Sequence, residues 1–153
     1  MIRLFAFSVV LVLFSACHTP KKTAEKTPAP KPEMLVKFEN SPGLMELLER
    51  AKAEHKLVFM DVYATWCTPC KIMEQEVFTR KEVADVLKRD FLSYRVDGEK
   101  NTGPTIRLVY EIEAYPTLVF LDADGKVLIK SAGSISTTGF NQLAAEAVRI
   151  SKK

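Results

Sequence analysis

The sequence is poor in the residues that bind metal ions. It has three cysteines and two histidines in 153 residues. A structural zinc site needs four ligands, whereas Cys67 and Cys70 form the one close pair and His55 is the one histidine after residue 33. We therefore expect neither a metal site nor a bound cofactor. Zinc binding by the cysteine pair remains an alternative, but the sequence offers no second pair of ligands for it.

The chain also lacks the basic surface that suits a nucleic-acid partner. Residues 1–33 hold five basic and two acidic side chains, which accounts for the whole net charge of +3. From Met34 onward, 17 Lys and Arg face 17 Asp and Glu. A neutral domain without a finger spacing or an aromatic-rich RNA motif gives no reason to expect nucleic-acid binding.

No apolar run in the sequence is long enough to cross a bilayer. The run from Leu4 to Phe14 has eleven residues and is interrupted only by Ser8, whereas a spanning helix needs about 20. With Arg3 in front of it, this run predicts an export signal over residues 1–16. The rest of the chain is then expected outside the cytoplasm.

The end of this signal resembles the lipobox of bacterial lipoproteins, in which a lipidated cysteine becomes the first residue. The residues are Leu13-Phe14-Ser15-Ala16-Cys17. Phe14 stands where that pattern usually has a leucine, but an ordinary signal peptidase site would need a small residue there. The resemblance implies lipidation of Cys17 and anchoring to a bacterial membrane; the alternative is that Cys17 is discarded with the signal.

The segment that follows is expected to be a tether. Residues 18–33 consist of Pro, Lys, Thr, Ala, Glu and His, with no apolar residue larger than Ala. Such a segment cannot bury a core, and in an extended form it could reach about 50 Å at 3.1 Å per residue. We therefore divide the chain into a signal over 1–16, a lipidated cysteine and tether over 17–33, and one globular domain over 34–153.

The periodicity of apolar residues predicts an α/β domain. The expected order is a helix over about 42–54, a strand over 57–63, a helical stretch after Cys70 that breaks near Phe78, a helix over about 80–88, a strand over 91–96, a helix around 106–110, strands over 117–121 and 126–130, and a final helix around 140–148. Ser41 and Pro42 have the pattern of an N-cap and first helical residue, and Thr79 to Glu82 that of a capping box. The turn over 122–125 makes the last two strands antiparallel. The sequence thus predicts a mixed central sheet with helices on both faces and an extra N-terminal helix.

The pair Cys67 and Cys70 is predicted to be a redox-active dithiol. It lies directly after a buried strand and at the start of a helix, where unpaired N–H groups and the helix dipole favour a thiolate. Cys67 is then the nucleophile, and Cys70, one turn further on, is expected to be more buried and to resolve the mixed disulfide. A structural disulfide and two unreactive core cysteines remain alternatives.

Three separate segments resemble the thioredoxin superfamily. They are the run Asp61 to Lys71 around Trp66-Cys67-Thr68-Pro69-Cys70, the triplet Tyr115-Pro116-Thr117, and Gly133. The likeness covers about residues 35–150 and is strongest to exported thioredoxin-like proteins, among them the C-terminal domain of the periplasmic membrane electron conductor that delivers reductant. It implies the thioredoxin fold for this domain.

The resemblance also implies roles for four residues near the cysteines. Pro116 is expected in cis beside them, leaving the backbone of Tyr115 to pair with an extended substrate, although a trans turn proline is the alternative. Trp66 would be a contact surface or simply packing. Asp61 matches a buried acid that exchanges a proton with Cys70, so its pKa should be raised; it could instead be solvated at a strand edge. Ser93 stands where cytosolic thioredoxins carry a lysine that pairs with this acid.

The expected function is a periplasmic thiol:disulfide oxidoreductase that reduces protein disulfides and draws electrons from a membrane donor. Pro69 cannot donate a backbone hydrogen bond toward the sulfur of Cys67, which weakens support for its thiolate and favours a reductant. A disulfide oxidase and a non-catalytic peptide-binding module of the same fold remain alternatives. The sequence does not name the substrate, the donor or the membrane.

Overall fold

The computed structural model describes residues 33–39 and 43–153. The predicted signal, Cys17, the tether up to residue 32, and both Ser41 and Pro42 lie outside the described residues. Among the residues that are described, no helix is both long and apolar enough to cross a bilayer.

The domain has five helices and four strands among these residues. In chain order they are α1 Leu44–Glu54, β1 Leu57–Tyr63, α2 Thr68–Glu76, α3 Lys81–Asp90, β2 Phe91–Asp97, α4 Gly103–Val109, β3 Thr117–Leu121, β4 Val127–Ala132 and α5 Thr137–Ser151. The strand order in the sheet is β2-β1-β3-β4, with β1 and β2 parallel and the other pairs antiparallel. This arrangement confirms the predicted mixed sheet, the antiparallel last pair and the leading helix.

Strand β1 lies inside the sheet, between β2 and β3, and almost all of its residues are buried. Its side chains alternate between the two faces. Phe59 belongs to one apolar core together with residues of α2, α3 and α5, whereas Val58 and Met60 belong to a second core with residues of α1 and α4. Helices therefore cover both faces, and the end of β1 is held firmly where it leads toward α2.

Two predicted helix starts are wrong in detail. Helix α1 begins at Leu44 with Gly43 as its N-cap residue, not at 42. The hydroxyl of Thr79 donates to the carbonyl of Gln75 at 2.8 Å, and Arg80 precedes α3 without a side-chain cap. Thr79 thus closes α2 instead of opening α3, because its hydroxyl reaches a free carbonyl of the preceding turn.

Helix α4 also differs from its prediction. It begins at Gly103 and ends at Val109, with Tyr110 as its C-cap residue, and of the apolar residues Ile106, Val109 and Tyr110 that indicate a helix in the sequence only Ile106 is buried. The side chain of Val109 is 65% exposed. An apolar pattern so short does not distinguish the buried face of a helix from its exposed one.

The segment before α1 lies against the outer strand of the sheet. The N–H groups of Leu35 and Val36 both donate to the carbonyl of Phe78, and the N–H of Glu39 donates to the carbonyl of Ser93 at 2.7 Å. Since β2 is at the edge of the sheet, this last bond uses a carbonyl on the side where the described part of the chain has no further strand.

Candidate active site

Cys67 and Cys70 form a disulfide where β1 leads into α2. Cys67 is the N-cap residue of α2, and its Cα lies 5.4 Å from that of Cys70 in the first turn. The backbone N–H of Cys70 donates to Sγ of Cys67 at 3.1 Å. The sulfur therefore sits at the end of a helix whose dipole and N–H groups stabilise negative charge.

The expected difference in burial between the two cysteines is wrong for this disulfide state. Each residue is only 2% exposed. The two sulfurs share one small apolar cluster with Ala64, against which Tyr63 and Tyr115 pack. Pro69 has no N–H to donate, but Sγ of Cys67 still receives one backbone hydrogen bond, from the N–H of Cys70.

The peptide bond between Tyr115 and Pro116 is cis, as the family resemblance implied. Pro116 is buried and directly precedes β3, whose first residue, Thr117, pairs with Val62 near the end of β1. The carbonyl of Pro116 accepts from the N–H of Gly133 at 2.7 Å. Within the described part of the chain, neither backbone group of Tyr115 pairs with another backbone group.

Trp66 lies on the surface beside the disulfide and is 64% exposed. Its ring meets that of Tyr115 edge to face, with centroids 5.9 Å apart. Its Nε1 donates to the carboxylate of Glu99 at 2.9 Å. The indole is therefore not buried in a core, and two contacts fix its orientation at the surface.

Gly98 has no side chain, and the ring of Tyr115 occupies the space that a side chain at this position would fill. A Cβ at this position would lie 2.5 Å from the Tyr115 hydroxyl oxygen and 2.6 Å from the ring carbon Cε1. The Tyr115 hydroxyl is buried and has no hydrogen-bond partner among the described residues. Sequence reasoning gave Gly98 no role in the site, because nothing local in the sequence connects it with Tyr115.

Asp61 is buried in β1, being only 1% exposed, which excludes the solvated alternative. Burial raises the pKa of Asp61 to about 6, and the charge and hydrogen bond of Arg95 oppose the rise. The direction agrees with the expectation from sequence. One carboxylate oxygen, Oδ2, accepts from Nε of Arg95 at 2.9 Å, while Oδ1 is buried and finds no hydrogen-bond partner in the described part of the chain.

Sequence reasoning missed Arg95 and Glu74 as members of this site. Arg95 is the residue of β2 that pairs in register with Asp61, and its Nη2 donates to Oε1 of Glu74 at 2.7 Å. Asp61 therefore has a basic partner, Arg95, although position 93 holds a serine and not a lysine. The available signal was the spacing: Arg95 shares the strand face of Ser93 two residues on, and Glu74 follows Cys70 by one helical turn.

No group of three or more potential metal ligands occurs among the described residues. The site consists of two bonded sulfurs, an exposed aromatic surface beside them, and a buried acid on the strand that leads into α2. The class of protein that this fold and this site define is a thioredoxin-type thiol:disulfide oxidoreductase.

The model of the family described as "Thioredoxin-like domain" matches residues 44–147. The chain belongs to this family. It is 34% identical over 106 residues, or 67% of its length, to the thiol:disulfide interchange protein DsbD of Actinobacillus pleuropneumoniae. It is 39% identical over 80 residues, or 52% of its length, to the chloroplastic thioredoxin Y2 of Arabidopsis thaliana, of which the match covers 44%. The match covers 17% of that DsbD, so the chain corresponds to a small part of it.

Solved structures agree with this membership. A proposed disulphide-isomerase from Bacteroides thetaiotaomicron superposes with a TM-score of 0.67 at 34% identity, covering 76% of this chain and 95% of that one. The oxidised C-terminal domain of DsbD from Neisseria meningitidis superposes with a TM-score of 0.59 at 23% identity, covering 72% of this chain and 97% of that one. At that identity the second likeness concerns the fold alone.

We predict that Gly98→Ala displaces the ring of Tyr115 and breaks its contact with Trp66. The added methyl group would overlap the rigid aromatic ring of Tyr115, so the ring must move. Because Trp66 is the one tryptophan of the chain, its fluorescence reports the change directly. Gly139→Ala is the matched control, since a Cβ there meets only ordinary contacts at 3.5 and 3.7 Å. Identical emission spectra for both variants and the unmodified protein would contradict this account.

We predict a pH-dependent stability difference between the unmodified protein and Asp61→Asn. The pKa of Asp61 rises from its ordinary 3.8 to about 6 in the folded protein. Asp61 therefore contributes stability that is fully present below about pH 4 and is lost as the pH rises through 6. Relative to Asp61→Asn, the oxidised protein should lose about 2 kcal/mol of unfolding free energy between pH 4 and pH 7.5. Denaturant unfolding at several pH values measures this loss, and parallel curves would show that the burial of Asp61 has no such effect.

Proposed function

We propose that this chain reduces disulfides in exported proteins through the dithiol of Cys67 and Cys70. The observation that carries the proposal is the placement of Cys67 Sγ at the N-terminus of α2, with the N–H of Cys70 directed at it. Only a thiolate attacks a disulfide, and this position is one that lowers the pKa of a cysteine.

The reaction begins with attack by the Cys67 thiolate on one sulfur of the substrate disulfide. The substrate S–S bond breaks, one substrate sulfur leaves as a thiolate, and a mixed disulfide joins Cys67 to the other. Cys70 then gives up its thiol proton and attacks Sγ of Cys67. The mixed disulfide breaks, the second substrate thiolate leaves, and the disulfide between Cys67 and Cys70 closes. Two electrons thereby pass from the protein to its substrate.

The surface beside the disulfide supports binding of an extended substrate segment. The unpaired backbone of Tyr115 next to the cis bond offers a donor and an acceptor at strand spacing. Trp66 lies alongside, largely exposed and held by Tyr115 and Glu99. Backbone recognition of this kind is tolerant of sequence, which suits a reductase with several protein substrates.

The reducing direction is supported by Pro69. Position 69 has no N–H, so Cys67 Sγ receives a backbone hydrogen bond from Cys70 alone among the described residues. Fewer donors stabilise the thiolate less and therefore favour the disulfide form, which is the property of a reductant. Each cycle leaves the pair oxidised, so a dithiol donor must restore it, and a membrane protein that conducts reducing equivalents into the periplasm would fit.

Location and anchoring form the second part of the proposal. The apolar run before Cys17 supports export, and the residues around Cys17 support lipidation and attachment to a bacterial membrane. The Pro- and Lys-rich residues after Cys17 would then hold the domain away from the lipid surface.

We predict that Cys70→Ser accumulates mixed disulfides with substrates at Cys67, because the second attack is lost while the first remains. Non-reducing electrophoresis followed by peptide mass spectrometry identifies both the partners and the cysteine that holds them. Cys67→Ser is the matched control and should trap few or none.

Three outcomes of this experiment would contradict the proposal in different ways. Equal trapping by both variants would deny that Cys67 is the nucleophile. Absence of trapping together with an unchanged phenotype of Cys67→Ser would indicate a binding module. A pair found oxidised in cells, with loss of substrate disulfides in the variants, would indicate an oxidase.

We predict that Cys17→Ala abolishes the incorporation of labelled palmitate into the protein, because it removes the thiol that would carry the lipid. Metabolic labelling followed by electrophoresis measures the incorporation, and Ser15→Ala, which keeps a small residue before the cleavage site, is the control. Equal labelling of Cys17→Ala and the unmodified protein, or no labelling of either, would exclude Cys17 as the lipidated residue.

A further inference from the structure

Three charged side chains form a hydrogen-bonded cluster that connects the sheet with the helix carrying Cys70. The guanidinium of Arg95 donates from Nε to Oδ2 of Asp61 at 2.9 Å and from Nη2 to Oε1 of Glu74 at 2.7 Å. The side chains of Arg95 and Glu74 are 15% and 14% exposed, and that of Asp61 is 1% exposed. Such ion pairs are desolvated, so each charge depends strongly on the others.

Aromatic rings hold the guanidinium in this position. Its central carbon lies 4.0 Å from the ring centroid of Tyr63 and 5.7 Å from that of Phe38. A cation over an aromatic face is stabilised by the ring quadrupole. Arg95 is therefore restrained by two carboxylates and two rings, and it keeps one orientation relative to Asp61.

Glu74 connects this cluster with the resolving cysteine. It follows Cys70 by four residues in α2, and residues at this spacing lie on the same face of a helix. Because Arg95 bonds both Glu74 and Asp61, it links Asp61 to the face of α2 that also carries Cys70. Oδ1 of Asp61 is buried and has no hydrogen-bond partner within residues 33–39 and 43–153, so this oxygen is the one left to take a proton.

The charge of Asp61 depends on few groups. Strand β2 contributes Arg95, helix α2 contributes Glu74, and the partner residue on β3, Leu118, is apolar. Burial and the charge of Glu74 raise the pKa of Asp61, and Arg95 lowers it. Arg95 is thus the one neighbour among these that favours the carboxylate.

We propose that Arg95 is a positioning residue for the resolving step: it keeps Asp61 ionised and fixed beneath α2. The Asp61 carboxylate can then accept the proton of Cys70 as Cys70 attacks Sγ of Cys67. The inference rests on the proposed function for its catalytic consequence, whereas its electrostatic content concerns the folded chain alone.

The electrostatic part is tested by titrating the Asp61 carboxyl carbon by NMR in the oxidised full-length protein. Arg95→Gln should raise the pKa of Asp61, because it removes the favourable charge. Glu74→Gln should lower it, because it removes an opposing charge. Arg95→Lys keeps the charge without the planar fork and should give an intermediate value. A merely structural role would not move the two neutral variants in opposite directions.

The kinetic part is tested with the small disulfide 5,5′-dithiobis(2-nitrobenzoate) and the reduced protein. The first chromophore is released when Cys67 attacks, and the second when Cys70 resolves the adduct, so the second phase reports the resolving step. If Arg95→Gln raises the pKa of Asp61 by about two units, that phase slows about tenfold at pH 7 and recovers at higher pH. In an Asp61→Asn background, Arg95→Gln should change this phase no further.

The outcomes separate the two proposals. If the unmodified protein reduces no disulfide, the proposed function fails, but the titrations still decide the electrostatic part. If Arg95→Gln does not fold, Glu74→Gln alone decides, because an unchanged pKa of Asp61 in it overturns the inference. An Arg95→Gln protein that folds and keeps the titration and second phase of the unmodified protein overturns the inference as well.

Discussion

The site depends on strand β1 being buried on both faces and paired on both edges. A strand with neighbours on every side cannot shift, and its register with β2 and β3 is fixed by the side chains that alternate across it. Its last residues therefore deliver Cys67 to one place at the start of α2. The same register sets Asp61 opposite Arg95, so a single strand positions both the nucleophile and the acid.

An acid in this strand is expensive in free energy, and the surrounding structure explains how it is tolerated. Burial of a lone carboxylate would push it to the neutral form. Arg95 opposes that push, but it shares its charge with Glu74, so Asp61 is left between the two extremes, with a pKa of about 6. A group poised near neutrality can both accept and release a proton, and a fully compensated carboxylate could not.

The sequence predicts the parts of this protein that are local and misses those that are not. The cysteine pair, the order of strands and the proline before β3 each follow from a short run of residues. The starts of α1 at Leu44 and of α3 at Lys81 were missed because a capping pattern does not fix how the polar side chain is used: the hydroxyl of Thr79 bonds back to Gln75 four residues earlier instead of capping α3.

The missed parts of the site join residues far apart in the chain. Arg95 and Asp61 are separated by 34 positions and Arg95 and Glu74 by 21. The relation of Gly98 to Tyr115 is also long-range, being one of space that must be left empty. Once the register of β1 with β2 is known, the pairing of Arg95 follows from strand alternation, whereas the space beside Gly98 does not.

The bond between Glu39 and Ser93 has a consequence for how molecules of this protein meet one another. An outer strand with free carbonyls invites the strand of a neighbour, and such pairing leads to aggregates. The backbone before α1 occupies one of those carbonyls on β2. A protein that must offer open backbone at Tyr115 to attract extended chains thus blocks part of the place where an identical molecule could add itself to the sheet.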